Sequence, residues 1–507
     1  MKNGFTSSIV RRDGEISDEL EASKLHPLLK KIYANRGVTS LKQVDYSLKG
    51  LLDFSLLKDI DVAAELVSEA IIEDKRIVVV GDFDADGATS CAVMMRSLRA
   101  FGLSKVEYLV PNRFDFGYGL SPQIVDVAAG SEPDLIITVD NGISSIDGVR
   151  RANELGIQVV VTDHHLAADV LPEAVAIVNP NQPHCEFPSK VIAGVGVAFY
   201  LMLAVRARLR DKDWFAKDMT RVEPNMANYL DLVALGTVAD VVPLDENNRI
   251  LVESGLQRIR KNKACAGINA LLTIAGKSIE GCSSQDFGFI IGPRLNAAGR
   301  LDDMSIGIEC LLCDDYEQAF KHASTLNHMN QQRRQIEGEM LDQAYDILNH
   351  QMSLLDDEDR VPDALALYDE QWHQGVVGLL ASRIKEKYHR PVIAFADAGG
   401  GELKGSGRSI PGLHMRDVLD VISKKHTGMI EKFGGHAMAA GLSIKQENFP
   451  GFRSAFNDQV SALLRPEDLN NINESDGPVA EKYMTIEASE IIKYASPWGQ
   501  LFPEPVF

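Results

Sequence analysis

The chain has 507 residues, of which 45% are apolar and 24% charged, and it carries a formal net charge of -20. That length exceeds what one hydrophobic core serves, so two or more domains are expected, and the composition is that of an ordinary globular protein. The acidity excludes a protein that coats duplex nucleic acid by charge alone, and leaves room only for a locally basic groove on an acidic body. No stretch approaches the ~20 consecutive apolar residues of a membrane span, and Met1 to Asp13 lack the apolar segment of a signal peptide, so a cytoplasmic protein without membrane contact is expected. Six cysteines are scattered along the chain. Cys310-Leu-Leu-Cys313 has zinc-like spacing but no partner pair, and its leucines favour a buried helix face.

In chain order, a polar, mobile arm is expected to about Ser23, then helical segments through Leu48 and from Asp61 to Ile72. Arg76 to Ser90, RIVVVGDFDADGATS, runs a fully apolar strand, Ile77 to Val80, into a loop with Asp82, Asp84 and Asp86 at alternate positions. Gly87 reads as a turn into a helix from Ala88 to Leu98. Acids at the carboxyl end of a strand lie where open α/β sheets bind ligands. The frame superficially resembles a phosphate-binding glycine loop, but Ala88 stands where the lysine should be, and three carboxylates repel a phosphate. They suit a divalent cation such as Mg²⁺ or Mn²⁺, which reverses the local sign so that a phosphate can approach. Taken alone, the stretch has a solvated acidic turn as its lesser alternative.

From Arg76 to about Val178, strands and helices alternate: Lys105 to Val110, Ser121 to Ala128, Leu135 to Val139, Ser145 to Leu155, Val159 to Thr162. That rhythm predicts a doubly wound parallel sheet. Leu135 to Val139 ends in Asp140-Asn141-Gly142, and Val159 to Thr162 in Asp163-His164-His165, so three strands deliver acids or imidazoles to one sheet edge. Imidazole widens the preference from Mg²⁺ toward Mn²⁺, Co²⁺ or Zn²⁺. After Asn179-Pro180-Asn181 the pattern turns helical, clearest over Val195 to Arg208 and Met226 to Val238, and Asp240 stands where the apolar helix breaks before Pro243. Tyr316 to about Gln351 predicts one long helix whose polar middle, Asn327 to Gln335, suits a bridge between domains. The acidic Leu355 to Asp363 reads as a linker into a second α/β unit with Ala364 to Tyr368, helix Val377 to Lys387, strand Pro391 to Ala396 and the turn Gly399 to Gly401. There Gly434-Gly435-His436 and Ala439-Ala440-Gly441 are small enough for backbone to approach a phosphodiester, with His436 as donor; a tight turn with a structural histidine is the alternative.

Asp82-x-Asp84-x-Asp86, Asp140-Asn141-Gly142, Asp163-His164-His165 and Gly236-Thr237-Val238-Ala239-Asp240 resemble the four motifs of the DHH phosphoesterase superfamily. Within it the chain resembles the RecJ family of single-strand-specific 5′→3′ DNA exonucleases. Supporting matches are HPLLKKIYANRG (26 to 37), PNRFDFGYGL (111 to 120), GPRLNAAGR (292 to 300), WHQGVVGLLASRI (372 to 384), SGRS (406 to 409) and FGGHAMAAG (433 to 441). The resemblance runs from about His26 to the end. It implies an N-terminal arm and helices (1–75), a DHH catalytic domain (76–315), a long connecting helix (316–352) and a smaller α/β DHHA1 substrate-binding domain (353–465). Residues 466–507 would be a linker and the start of an incomplete C-terminal oligonucleotide-binding (OB) barrel, because PWGQLFPEPVF (497 to 507) is similar to the family segment that leads into one.

The resemblance further implies two divalent ions, Mn²⁺ or Mg²⁺. Asp140 would bridge them, Asp82 and Asp84 would complete one, and Asp86, His164 and Asp240 the other. Asp163 would orient a ligating histidine and His165 would contact the scissile phosphate, so the catalytic set is Asp140, Asp163, His164 and His165. Asn112, Arg113, Arg294, Asn296, Arg383, Ser406, Arg408, Gly435 and His436 would hold the substrate. Of these, Arg113, Ser406 and Arg408 would take its 5′-terminal phosphate, a task suited to a planar guanidinium fork. The implied reaction is hydrolysis of single-stranded DNA from the 5′ end to 5′-mononucleotides in recombination and repair, in a cleft too narrow for a duplex. A monomer is expected, with single-strand-binding protein and a helicase as partners. Two other readings share the fold: a phosphoesterase of oligoribonucleotides or other small phosphoesters, and a non-catalytic scaffold as in eukaryotic replication helicase assemblies, which would bind no Mn²⁺ here.

Overall fold

Residues 7–111, 119–353 and 361–507 are described by the computed structural model. They form two compact units, one comprising Asp13–Asn330 and Asp476–Phe507, the other Met1–Arg12 and Gln331–Ser475.

The first unit is organised on five parallel strands: β1 (Ile77–Gly81), β2 (Val106–Leu109), β3 (Leu135–Val139), β4 (Gln158–Thr162) and β5 (Ala176–Val178), in the order β2-β1-β3-β4-β5. Every residue of β1 and β3 is buried, which explains the continuous apolar runs. Successive side chains point to opposite faces. Ile77, Val79, Leu135 and Ile137 pack against helices α1 (Ile60–Ile72) and α2 (Ala85–Ala100), whereas Val78, Val80, Ile136 and Val161 pack against α3 (Pro122–Ala129) and α4 (Ile146–Glu154). The sheet is therefore wound on both sides. The chain leaves β1 for the edge strand β2 and returns on the other side of β1 at β3, a topological switch of the kind at which such sheets bind ligands. Register then does the rest. Gly81 pairs with Val139 and Val139 with Thr162, so the residues that follow them, Asp82, Asp140 and Asp163, emerge level at one edge. Two buried helices, α5 (Gly194–Asp211) and α6 (Leu230–Ala239), and α7 (Gly292–Leu301) complete this unit's share of the site.

One 38-residue helix, α8 (Tyr316–Ser353), passes from this unit into the other, the division falling after Asn330. The second unit has a mixed sheet of β6 (Leu365–Tyr368), β7 (Val392–Gly399), β8 (Glu402–Arg408), β9 (Lys432–Gly435) and β10 (Ala439–Lys445), ordered β9-β10-β8-β7-β6. Only the β6–β7 pair is parallel. Gly399, Gly400 and Gly401 turn the chain between β7 and β8 with φ of 84°, 64° and 80°, a left-handed succession that side chains resist.

Two expectations for the chain's ends are corrected. Among the described residues to Ser23 the tract is not a mobile arm: Ser7–Arg11 forms a strand that pairs in parallel with Asn471–Ser475, and Asp18–Ala22 is a helix. Neither strand has an apolar alternation, and a pairing across some 460 positions leaves no local trace. Likewise residues 476–507 do not stand apart as the start of a separate module. Trp498 and Phe502 stack at 5.4 Å and are buried in the first unit's core, and the Asp476 carboxylate grips the Arg36 guanidinium at 2.8 Å with both side chains shielded from solvent.

Candidate metal centre

The three acids of the first motif have different settings. Asp82 follows β1 and accepts the Phe83 N–H through Oδ1 at 2.8 Å. Asp84 caps α2, its Oδ1 accepting the N–H of Asp86 at 2.9 Å and of Gly87 at 3.0 Å, so the helix begins at Ala85 and Gly87 lies inside it. The expectation of a turn at Gly87 is corrected accordingly. What the position requires is room, since a Cβ there would stand 2.4 Å from the Asp82 carbonyl oxygen. Asp86, buried in the first turn of α2, accepts the Gly194 N–H at 2.7 Å and the Val195 N–H at 2.9 Å, donors that the α5 N-terminus leaves outside its own ladder.

Asp140 ends β3 in the left-handed region, φ 60°, while 2% exposed. A buried non-glycine residue held there marks strain that the surroundings impose. Asn141 fastens the turn by donating to the carbonyls of Val80 and Val139. At the end of β4, Asp163 Oδ1 accepts from the His164 N–H, the His165 N–H and His165 Nδ1 at 2.7, 3.1 and 2.7 Å, and Oδ2 accepts the Ile143 N–H at 2.9 Å. Asp240 is the C-cap of α6.

These elements bring the side chains together. His164 Nε2 lies 3.1 Å from Asp140 Oδ1, 3.4 Å from Asp240 Oδ2 and 4.0 Å from Asp86 Oδ2. Ligand atoms of Asp86, His164 and Asp240 fall within 4.8 Å of one another, and so do those of Asp82, Asp84 and Asp140; Asp140 also groups with His164 and His165. The two acid sets therefore adjoin at Asp140.

Gathering so many carboxylates out of water is costly. Burial first, then the charges of neighbouring aspartates, push the Asp86 carboxyl up to about 7 and those of Asp140 and Asp240 well above their ordinary range. A cation coordinated by them removes both penalties. An oxygen-rich donor set with one imidazole suits Mn²⁺ or Mg²⁺, so the residues present fit a pair of divalent ions. His165 behaves differently: burial alone would lower its pKa, but the bond and charge of Asp163 outweigh this and raise it to about 9. Asp163 is lowered, because the same hydrogen bond and the two imidazoles overcome its own burial.

The remaining sequence candidates divide by unit. In the first, Asn296 on α7 accepts the Ala85 N–H at 2.7 Å and so abuts the acid loop. Arg294 is fixed by Asn327 Oδ1 at 3.1 Å and the Ile290 carbonyl at 2.7 Å. Asn112 and Arg113 lie outside the described residues. In the second unit, Arg408 donates to Ser406 Oγ at 3.1 Å, and both crowd Gly378 in the first turn of helix α9 (Val377–Tyr388), where a Cβ would stand 2.9 Å from each. A guanidinium, a hydroxyl and a helix N-terminus make an anion-binding set. Gly435 ends β9 with φ 133° and a Cβ there would meet the Ala439 carbonyl oxygen at 2.5 Å; His436 follows in the turn, its N–H bonded to that same oxygen at 2.7 Å. Register puts Gly435 opposite Ala440, and Ala440 opposite Gly407, so this turn shares a sheet end with Arg408. Arg383 does not join the set: it lies farther along α9, bonded to Glu337 at 2.9 Å and Glu386 at 3.4 Å.

Four supporting residues escaped sequence reasoning. Gly194 and Val195 carry the backbone donors of Asp86, and a glycine opening an apolar helix was their only signal. Asn181 donates to the His164 carbonyl at 2.6 Å and Asn179 to the His165 carbonyl at 3.0 Å, bracing the histidine loop. Asn179-Pro180-Asn181 was visible only as a break in pattern.

Family models match the chain in two places, the N-terminal domain of the DHH family over residues 76–237 and the DHHA1 domain over residues 362–462. The single-stranded-DNA-specific exonuclease RecJ of Dickeya dadantii (strain 3937) is 54% identical over 493 residues, covering 97% of this chain and 84% of that protein. The chain belongs to the RecJ family. Among solved structures, RecJ from Thermus thermophilus in complex with Mn²⁺ superposes with a TM-score of 0.81 at 29% identity, covering 100% of this chain and 70% of that one. The same protein in complex with Mg²⁺ gives 0.74 at 28% identity, covering 100% and 68%. The fold class, the DHH and DHHA1 architecture and the divalent cofactors expected from sequence agree with this membership.

Proposed function

We propose that this RecJ-family member is a metal-dependent exonuclease that degrades single-stranded DNA from its 5′ end, releasing 5′-mononucleotides in recombination and repair. The observation that carries the reading is the meeting of two carboxylate groups at Asp140 on the switch-point edge of the sheet, in a chain 54% identical to a single-stranded-DNA-specific exonuclease. Asp82, Asp84 and Asp140 would hold one ion, and Asp86, His164, Asp240 and Asp140 the other. The ions, Mn²⁺ or Mg²⁺, supply Lewis-acid polarisation of the scissile phosphate and an activated water.

The chain's own groups do the positioning. Asp163 accepts Nδ1–H of His165 and favours the protonated imidazolium, whose Nε2–H would donate to a phosphate oxygen. The α5 N-terminus aims Asp86, and Asn179 and Asn181 fix the backbone beneath the two histidines. In the second unit Ser406, Arg408, Gly435 and His436 would bind the backbone phosphates, with Asn112, Arg113, Arg294, Asn296 and Arg383 as further substrate contacts. We assign catalysis to residues 76–315, connection to 316–352 and substrate binding to 353–465. Single-stranded DNA is the substrate partner; a single-strand-binding protein and a helicase are proposed beside it, and a cytoplasmic monomer. Among the described residues no helix is long and apolar enough to cross a membrane.

The test is degradation of a 5′-labelled single-stranded oligodeoxynucleotide with Mn²⁺, beside its duplex, a 3′-labelled copy and Asp140→Ala. Immediate release of labelled mononucleotide, from single strands only and lost in Asp140→Ala, is the expected result. Tight Mn²⁺ binding without degradation would instead point to small phosphoesters, and no Mn²⁺ binding to a scaffold.

A further inference from the structure

Three large apolar side chains stand in solvent on chain segments that adjoin the metal centre. Leu166, 63% exposed, follows His165; Val241, 65% exposed, follows Asp240; Phe289 is 77% exposed. Phe289 belongs to Phe287–Ile291, a wide π turn closed by the Gly292 N–H on the Phe287 carbonyl. Phe287 and Ile291 are fully buried, so the turn is anchored at both ends while its middle ring is lifted out. The turn and the residue after it lie on α6. A Cβ on Gly288 would stand 3.7 Å from a Val238 methyl, and one on Gly292 would stand 3.2 Å from the Ala239 Cβ. The next residue after Ala239 is Asp240.

Two further features favour use over accident. Wide turns of this kind collect at functional sites. Val241 sits at φ 59°, a conformation that a β-branched residue rarely adopts, so the backbone beside Asp240 is strained as well. Arg294 follows Phe289 by one turn, its guanidinium fixed by Ile290 and Asn327. An exposed aromatic face and a fixed guanidinium on one element are complementary to a nucleotide, which offers a base to stack and a phosphate to neutralise. Resting on the exonuclease reading, we propose that Phe289 stacks against a base of the single-stranded substrate and so positions that nucleotide at the Asp240 side of the metal centre. A base inside a duplex has both faces covered by its neighbours, so the same ring selects for single strands. Every base has a π face, so the contact is indifferent to sequence.

The experiment is equilibrium binding, by fluorescence anisotropy, of a labelled oligodeoxynucleotide and of copies with one abasic site at successive positions, to the wild type, Phe289→Ala and Phe289→Trp. Phe289→Ala is expected to bind the intact strand about 5- to 150-fold more weakly, the usual worth of one stacked base. Phe289→Trp should retain affinity. In the wild type one abasic position should cost a similar factor, and that penalty should vanish in Phe289→Ala. In steady-state degradation the loss should fall on KM rather than kcat. Equal affinity of Phe289→Ala and wild type, or an undiminished abasic penalty in the variant, overturns the proposal. If the wild type binds but degrades no single-stranded DNA, the exonuclease reading fails while the binding comparison still decides on Phe289. An unchanged thermal midpoint, expected for so exposed a ring, separates both outcomes from misfolding.

Discussion

Gly194→Ala tests the metal centre without removing a ligand, a charge or a hydrogen-bond donor. The added Cβ would stand 2.7 Å from both Cβ and Oδ1 of Asp140 and 2.9 Å from its Cα. Ordinary contact begins at 3.4 Å, so the two segments must part by ~0.5 to 0.7 Å. Asp140 has little freedom to yield, because it is buried at the end of a central strand in a strained conformation. If α5 moves instead, the Gly194 and Val195 N–H groups leave Asp86, to which they now donate at 2.7 and 2.9 Å. Either way one of the two carboxylate groups is displaced. Overpacking of this size costs about 1–3 kcal/mol of stability, and a misplacement approaching 1 Å costs up to about 10²-fold in rate. We expect a folded protein with an about 10- to 100-fold slower degradation of single-stranded DNA and weaker Mn²⁺ binding, to be read on one sample by oligonucleotide assay, metal titration and thermal unfolding. Wild-type rate together with wild-type Mn²⁺ affinity would refute the claim that the position of Asp140 sets the function of this site.

Two other predictions concern stability. Asp476 is held below the ordinary carboxylate range, because its bonds to Arg36 and Asn35 outweigh the opposing effect of burial. Its contribution is thus complete above the unfolded-state value of ~3.9 and fades as pH falls through that value toward the lower folded one. Asp476→Asn should cost about 3–5 kcal/mol at neutral pH by stranding the Arg36 guanidinium, and should flatten the acid limb of a pH–stability curve; an unchanged curve would show that the pair does not hold the C-terminal segment. Mn²⁺ should raise the thermal midpoint, by about 2.7 kcal/mol of stabilisation at 100-fold excess over its dissociation constant, and Asp140→Ala should abolish that response in calorimetry.

The first unit's sheet was legible because β1 and β3 are buried on both faces, so their sequences are unbroken apolar runs that end abruptly in Asp82 and Asp140. The grouping of Asp82, Asp84, Asp86, Asp140, His164 and Asp240 followed from the same punctuation with the family motifs, and the geometry brings those side chains together. Supporting contacts were not legible. Gly194 acts through its backbone N–H, and Asn179 and Asn181 through side-chain amides on carbonyls brought near by folding, and nothing in their own neighbourhoods distinguishes them from helix starts and turns. Arg383 illustrates a different limit: the motif that contains it gave no sign that Glu337 and Glu386 would engage its guanidinium. The strand Ser7–Arg11 failed for a third reason, since its partner lies at the far end of the chain and its own residues carry no alternation.

The unit that bears the metal centre is made from two stretches of chain with Gln331–Ser475 of the other unit threaded between them. Synthesis therefore delivers every candidate ligand, the last being Asp240, well before Asp476, Trp498 and Phe502 arrive. At ~5–20 residues per second the interval is on the order of 10–50 s. Throughout it the surface around Arg36 and Tyr33 that Asp476, Trp498 and Phe502 later cover remains open, with Tyr33 lacking the Ala495 carbonyl to which its hydroxyl donates at 2.9 Å. A chain whose translation stops in that window leaves the Tyr33 and Arg36 face of the core uncovered, and is the form that cellular proteases would meet first.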